Sequence, residues 1–246
     1  MYWLVKKLIK GASPRSKRKI LNFVLSNEIE NHLFHKVKRH GFCPEFVIDV
    51  GAYQGEWTRK IKAIFPSSKV LMVDALAKED YLRKVQDDLP GVSFCIQLLG
   101  AKTGLEKTFF ECETGSSYYE ENSNVKKVRT TRVTKSLDDV LTEQHFLLGN
   151  SSWLKIDAQG AELDILEGAK KSRPFIDFIY LEVPIVQYNL KAPDFEGYIH
   201  YLSTIGYSVF DVSTHHLRQD LLLQVDILFA RRNSSIVQKR DEMIGQ

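Results

Sequence analysis

Apolar and polar positions alternate along the chain with two different periods, and the switches between them mark its elements. Phe46, Val47, Ile48 and Val50 form an apolar run of strand length that breaks at Gly51, with a second glycine at Gly55. From Glu56 the period becomes helical, since Trp57, Ile61, Ile64 and Phe65 share one face. Val70–Val73 is a second strand that ends at Asp74; a helical stretch, Ala75–Leu89, follows and stops at Pro90-Gly91. Val92–Leu99 reads as a third strand. Ser152–Ile156 is a fourth, ending in Asp157-Ala158-Gln159-Gly160, and a helix continues through Ala161, Leu163, Ile165, Leu166 and Ala169. Phe175–Val183 is a fifth and carries Glu182 near its end. A last helix spans Asp194–Gly206, with Gly206 as its stop. Two final strands, Tyr207–Val212 and Val225–Arg231, are joined by a link that holds His215 and His216.

Strands alternating with helices predict an α/β, Rossmann-like doubly wound sheet with helices on both faces. The last two strands have only a short non-helical link, so they should pair antiparallel. Residues 101–134 fall outside the alternation. Lys107–Cys112 and Val125–Thr134 have strand periodicity and predict an inserted hairpin or flap, with a Gly115–Tyr119 loop between them. The expected organisation is a helical extension over 1–40, a main domain over 41–232 and a polar tail over 233–246. Ser13-Pro14 interrupts the extension, and a new helix should begin after it.

Composition narrows the picture only slightly. With 246 residues, 43% hydrophobic and 26% charged, the chain has ordinary globular content. A net charge of +3 gives no support to nucleic-acid binding. The positive excess crowds the start, at Lys6, Lys7, Lys10, Arg15, Lys17, Arg18 and Lys19. Residues 1–10 could form a basic amphipathic helix against a membrane surface, although a helix packed on the domain is the favoured reading. No apolar stretch reaches the length of a membrane span, and the opening is too charged for a signal sequence. Cys43, Cys95 and Cys112 lack metal spacing, and Cys43 and Cys95 are expected to be buried thiols of a reducing, cytoplasmic compartment.

Chemistry belongs at the C-terminal ends of the strands, where doubly wound sheets bind ligands. Those ends are Gly51, Asp74, Leu99-Gly100, Asp157 and Glu182, three of them carboxylates. Strand, glycine turn and helix bring bare backbone N–H groups to a ligand. Asp74 lies about 20 residues beyond the glycines, where a carboxylate takes two ribose hydroxyls. Together they point to a nucleoside-containing cofactor. The spacing is G-x-x-x-G, which disfavours NAD and an oxidoreductase, as does the antiparallel ending.

Three segments carry a closer resemblance. Val47–Thr58 (VIDVGAYQGEWT), Thr134–Val140 (TKSLDDV) and above all Leu154–Ala169 (LKIDAQGAELDILEGA) resemble the FkbM family of methyltransferases, within the class I S-adenosylmethionine-dependent enzymes. The likeness covers roughly residues 45–231. It departs at Tyr53-Gln54 and at Asp74-Ala75-Leu76, where family members commonly carry Asn and Glu-Pro. The resemblance implies a seven-stranded sheet with an antiparallel final strand. It also implies that Gly51, Ala52, Tyr53, Gln54 and Gly55 wrap the methionine part of S-adenosylmethionine, with Asp49 near its ammonium. Asp74-Ala75 would hold the ribose, and Leu99-Gly100 would lie beside adenine.

Methyl transfer from a sulfonium needs in-line placement and a dry site, and an alcohol acceptor also needs a base or a metal. Asp157 and Glu182 are the expected catalytic carboxylates, with Asp157 as the base and Glu162 one helical turn further on. A Mg²⁺ held by Asp157 and Glu182 is the less favoured version of the same site. His215 and His216 read as lying on the last connecting loop, where one could serve as base, although a solvated pair is the favoured reading. The expected acceptor is a hydroxyl on a sugar, glycan, lipid or secondary metabolite, and Tyr118, Tyr119, Tyr188 and Tyr198 are candidates to stack on it. A non-catalytic methyltransferase-like binding module remains the rival from another class, and self-association to a homo-oligomer stays open.

Overall fold

The structure is a computed structural model that describes residues 13–76, 78–112, 115–149 and 151–244. The basic segment expected to form an amphipathic helix at 1–10 lies outside these residues. No helix among them is long and apolar enough to cross a membrane.

Helix α1 (Pro14–Arg39) starts where Ser13-Pro14 predicts: Ser13 caps it by accepting a hydrogen bond from the Ser16 amide, and proline fills the first turn. The elements that follow are β1 (Phe46–Val50), α2 (Glu56–Ile64), β2 (Lys69–Asp74), α3 (Glu79–Asp88) and β3 (Val92–Ile96). After them come β4 (Glu106–Glu111), β5 (Val128–Val133), α4 (Leu137–Glu143), β6 (Ser152–Ile156) and α5 (Glu162–Glu167). The chain closes with β7 (Ile176–Pro184), α6 (Phe195–Thr204), β8 (Tyr207–Arg218), β9 (Leu221–Arg231) and α7 (Ser235–Ile244).

Seven strands form one sheet in the order β3-β2-β1-β6-β7-β9-β8. The first five are parallel neighbours, and β9 runs antiparallel to both β7 and β8. β4 and β5 make a separate antiparallel hairpin. Side chains alternate across the sheet and fill two cores. On one face Val47, Met72, Trp153, Phe178 and Leu228 pack beneath α1, α2, α3 and α7 through Phe34, Trp57, Ile61, Leu82 and Ile236. On the other, Ile48, Leu71, Leu154, Ile179 and Ile227 meet Leu137, Ile165 and Leu202 of α4, α5 and α6.

Two expectations are corrected. His215 and His216 are not on a loop, because β8 continues to Arg218 and turns through Gln219-Asp220. Both turn residues have positive φ, 52° and 68°, the conformation that a two-residue hairpin with the right strand twist demands. Cys43 is exposed rather than buried, since it precedes β1 on the surface connection from α1, while Cys95 is half-buried.

Candidate functional site

The site is built first at the β1–α2 turn. Gly51 has φ +72°, and a Cβ there would run into the backbone carbonyl of Asp157 on the neighbouring β6 connection. Only glycine lets the two parallel strand ends approach this closely. Gly51 N donates to Val73 O at 2.8 Å, which ties the turn to the end of β2 as well.

Asp74, at that end, accepts hydrogen bonds from the Tyr53 amide through Oδ2 and from the Leu76 amide through Oδ1, both at 2.8 Å. Its carboxylate therefore braces the glycine turn and faces the cleft. Ala75 is held from above by the β4–β5 hairpin, where Arg132 donates to Ala75 O at 3.0 Å and pairs with Glu111 at 3.0 Å.

A cleft of about 880 Å³ opens over these strand ends. Gly51, Ala52, Tyr53, Gln54, Asp74, Ala75 and Leu99 line it, together with Asp157 and Glu182. Three expected site residues do not. Gly55 faces Val85 of α3 and Met72 of β2 and serves the packing of α2. Gly100 turns its carbonyl to Gly168, and its amide donates to Lys135 O. Asp49, expected near a ligand ammonium, is completely buried below the turn. The period-2 alternation of β1 aims it at α2, where Thr58 donates to its Oδ2 at 2.7 Å, and Lys155 lies 3.2 Å from its Oδ1.

Lys155 is a site residue that the sequence reading passed over. It sits directly beside Asp49 in the β1–β6 register. It also donates to the carbonyls of Val50 and Gly51, at 3.2 and 3.0 Å. Burial alone would lower its pKa, but Asp49 and then Asp157 outweigh that and raise it, so the ammonium stays charged. A lysine inside an otherwise apolar strand was the available signal.

Beyond β6 the same sheet face becomes acidic. Asp157 is open to the cleft, with 37% side-chain exposure, and its Oδ1 accepts from Gln159 Nε2 at 2.9 Å. Glu182 on β7 lies directly opposite Asp226 on β9. His216 Nε2 stands 3.5 Å from Glu182 Oε2 and 3.2 Å from Asp226 Oδ1. Burial and then Asp157 push the Glu182 carboxyl well above the usual carboxylate range. Burial would lower His216, but its hydrogen bond to Asp226 and the charge of Glu182 raise it. His216 is thus a cleft residue and not part of a solvated pair; His215 is the exposed one.

Glu162 proves structural. Fully buried, it accepts from the Ala158 amide at 2.8 Å and the Gly160 amide at 3.0 Å, and Tyr198 donates to its second oxygen. It clamps the turn that carries Asp157. Two of the four candidate tyrosines are likewise occupied by α5, for Tyr118 and Tyr119 both donate to Asp164 Oδ2, at 3.0 and 2.9 Å. Tyr188 is paired with Gln224. Among the four, only Tyr118 lines the main cleft.

Residues 49–218 match the Methyltransferase FkbM domain. No curated protein matches the chain significantly. Among solved structures, methyltransferase FkbM from Methylobacillus flagellatus KT is 16% identical with a TM-score of 0.46, over 75% of this chain and 43% of that one. The chain therefore spans less than half the length of that protein. Magnesium protoporphyrin IX methyltransferase from Synechocystis PCC 6803, solved with bound SAM, is 8% identical with a TM-score of 0.50, over 92% of this chain and 88% of that one. The second likeness shows the fold, and the domain match extends from the buried aspartate of β1 into the last hairpin. On that match the chain belongs to the FkbM family of methyltransferases.

Proposed function

We propose that the chain binds S-adenosylmethionine and transfers its methyl group to a hydroxyl of a small-molecule or glycan acceptor. The observation that carries this reading is one continuous cleft running from the Asp74 end of β2, past the glycine turn, to Asp157 and Glu182. Strands lie about 4.8 Å apart, so Asp74 and Asp157, two strands distant in the sheet, are separated by roughly 10 Å. That span suits a nucleoside held at Asp74 with its sulfonium presented toward Asp157. The neighbouring Synechocystis methyltransferase was crystallised with SAM, which supports the choice of cofactor.

In this reading Asp157 takes the acceptor's proton as its oxygen attacks the methyl carbon. The C–S bond breaks with its electron pair returning to sulfur, so the products are a methyl ether, S-adenosylhomocysteine and one proton. Lys155 holds the Gly51 carbonyl and keeps Asp49 paired, so that the turn is rigid when ligand arrives. Free cysteines fit the reducing, cytoplasmic setting that goes with this proposal.

Calorimetric titration tests it. Wild type should bind S-adenosylhomocysteine, and Asp74→Ala should bind at least about 100-fold more weakly, the lower end of the loss expected for two hydrogen bonds to a charged group. NAD titrated alongside should give no heat of binding. Binding of NAD alone would return the cleft to the oxidoreductase reading, and binding of neither would leave a methyltransferase-like module without turnover.

A further inference from the structure

We propose that Glu182, His216 and Asp226 are the ligands of one first-row divalent cation at the acceptor end of the cleft. The pairing of β7 with β9 puts two carboxylates directly opposite each other on one sheet face, Glu182 against Asp226, and both are largely shielded from water. Like charges so placed repel, and a sheet does not gain stability from them. His216 is the imidazole that meets them. An extra residue on β8, between Val212 and His215, shifts the register and turns His216 toward Asp226.

The hydrogen bonds around the three are directional. Glu182 Oε1 is held by Gln224 and by Gln159 Nε2, and Asp226 Oδ2 accepts from the Tyr180 hydroxyl at 3.2 Å. Each carboxylate thus has one oxygen anchored from behind and presents the other, Oε2 and Oδ1, to His216 Nε2. Such anchoring is what orients metal ligands. The three ligand atoms lie within 4.8 Å of one another, and all three residues line the cleft. Ligands about 2.1 Å from a common metal stand about 3.0–3.4 Å apart, close to the distances that Nε2 makes here.

One imidazole with two carboxylates favours Mn²⁺, Fe²⁺, Co²⁺ or Zn²⁺ over a purely oxygen-seeking ion. Three protein ligands leave open positions, and these face the acceptor side. The site differs from a magnesium held by Asp157 and Glu182, because Asp157 Oδ1 is held by Gln159 and its Oδ2 turns toward Lys155. The cation's role, to hold and acidify the acceptor hydroxyl, rests on the methyl-transfer reading; its binding does not.

The test uses the full chain stripped by chelator. Co²⁺ is titrated by visible absorption and Mn²⁺ by electron paramagnetic resonance, with S-adenosylhomocysteine titrated in parallel by calorimetry. Wild type should take up one equivalent with a Kd on the order of 10 µM. His216→Ala and Asp226→Asn should each weaken it about 100-fold, and Tyr180→Phe about 10-fold through loss of the supporting hydrogen bond. Co²⁺ should raise the melting temperature of wild type and not of His216→Ala, which checks the site without relying on titration of an unstable variant. No saturable uptake by wild type, or uptake unchanged in both ligand variants, overturns the inference while S-adenosylhomocysteine binding leaves the methyl-transfer reading standing. Metal uptake without S-adenosylhomocysteine binding supports the site and fails the cofactor reading.

Discussion

Gly51→Ala is expected to melt about 8–16 °C below wild type and to bind S-adenosylhomocysteine at least 10-fold more weakly. Two costs combine. At φ +72° any L-residue with a side chain is strained by roughly 1–2 kcal/mol. The added Cβ also meets the Asp157 carbonyl, a backbone atom that cannot rotate away. Together they come to about 4 kcal/mol, and in a protein of this size each kcal/mol lowers Tm by about 2–4 °C. Relief requires β1 and β6 to separate at their ends, which spreads the part of the cleft where the turn and Asp157 meet. Gly104→Ala is the control, since Gly104 has a similar φ of +84° and open space around it. It should lose only the backbone share, about 1 kcal/mol. Equal melting temperatures for the two variants would show that the close approach at Gly51 does not matter.

Glu162→Ala should cost about 3 kcal/mol. Its carboxylate receives the Ala158 and Gly160 amides and the Tyr198 hydroxyl, and truncation leaves these donors without an acceptor in a closed interior. The loss should appear in urea unfolding as a lower midpoint with an unchanged slope. Hydrogen exchange should speed up at Ala158 and Gly160, the amides that hold the Asp157 turn in place. Glu162→Gln should cost less, about 1–2 kcal/mol, because the amide keeps one accepting oxygen.

The pH dependence of the Gln variant has a definite sign. Burial raises the Glu162 carboxyl above 4.5, partly offset by Tyr198 and the backbone amides. A raised carboxyl contributes stability that is complete below the unfolded value and is lost as pH rises through the folded one. Gln has no such contribution. The wild-type advantage over Glu162→Gln should therefore be complete below pH 4.5 and shrink as pH rises above it. An advantage that grew with pH would mean that the bonds to the ionised form dominate.

Much of this protein could be read along the chain, because its decisive features are local. The strand at 46–50, the glycine at 51 and the helix from 56 are one continuous segment, and a strained turn between two periodic elements is visible in the order of residues alone. Asp74 was legible for the same reason, as the polar residue that stops an apolar strand. The reversed last strand followed from a link with no room for a crossover helix.

Other parts depended on partners distant in sequence. Lys155 and Thr58 hold Asp49 beneath the turn, and neither pairing leaves a periodic trace in the sequence. His216 reads as loop because Gly and Pro are absent and the turn relies on two non-glycine residues at positive φ, which sequence rarely signals.

What the sequence by itself determined is the alternation of elements, the direction of the sheet and the strand ends at which chemistry belongs, since period and turn chemistry act over a few residues. What only the tertiary structure decided is which charges meet. Asp226 faces Glu182, and His216 faces both, through the register of β7, β9 and β8. A shift of one residue in that register would send each side chain to the opposite face, and register is set by packing of the whole sheet.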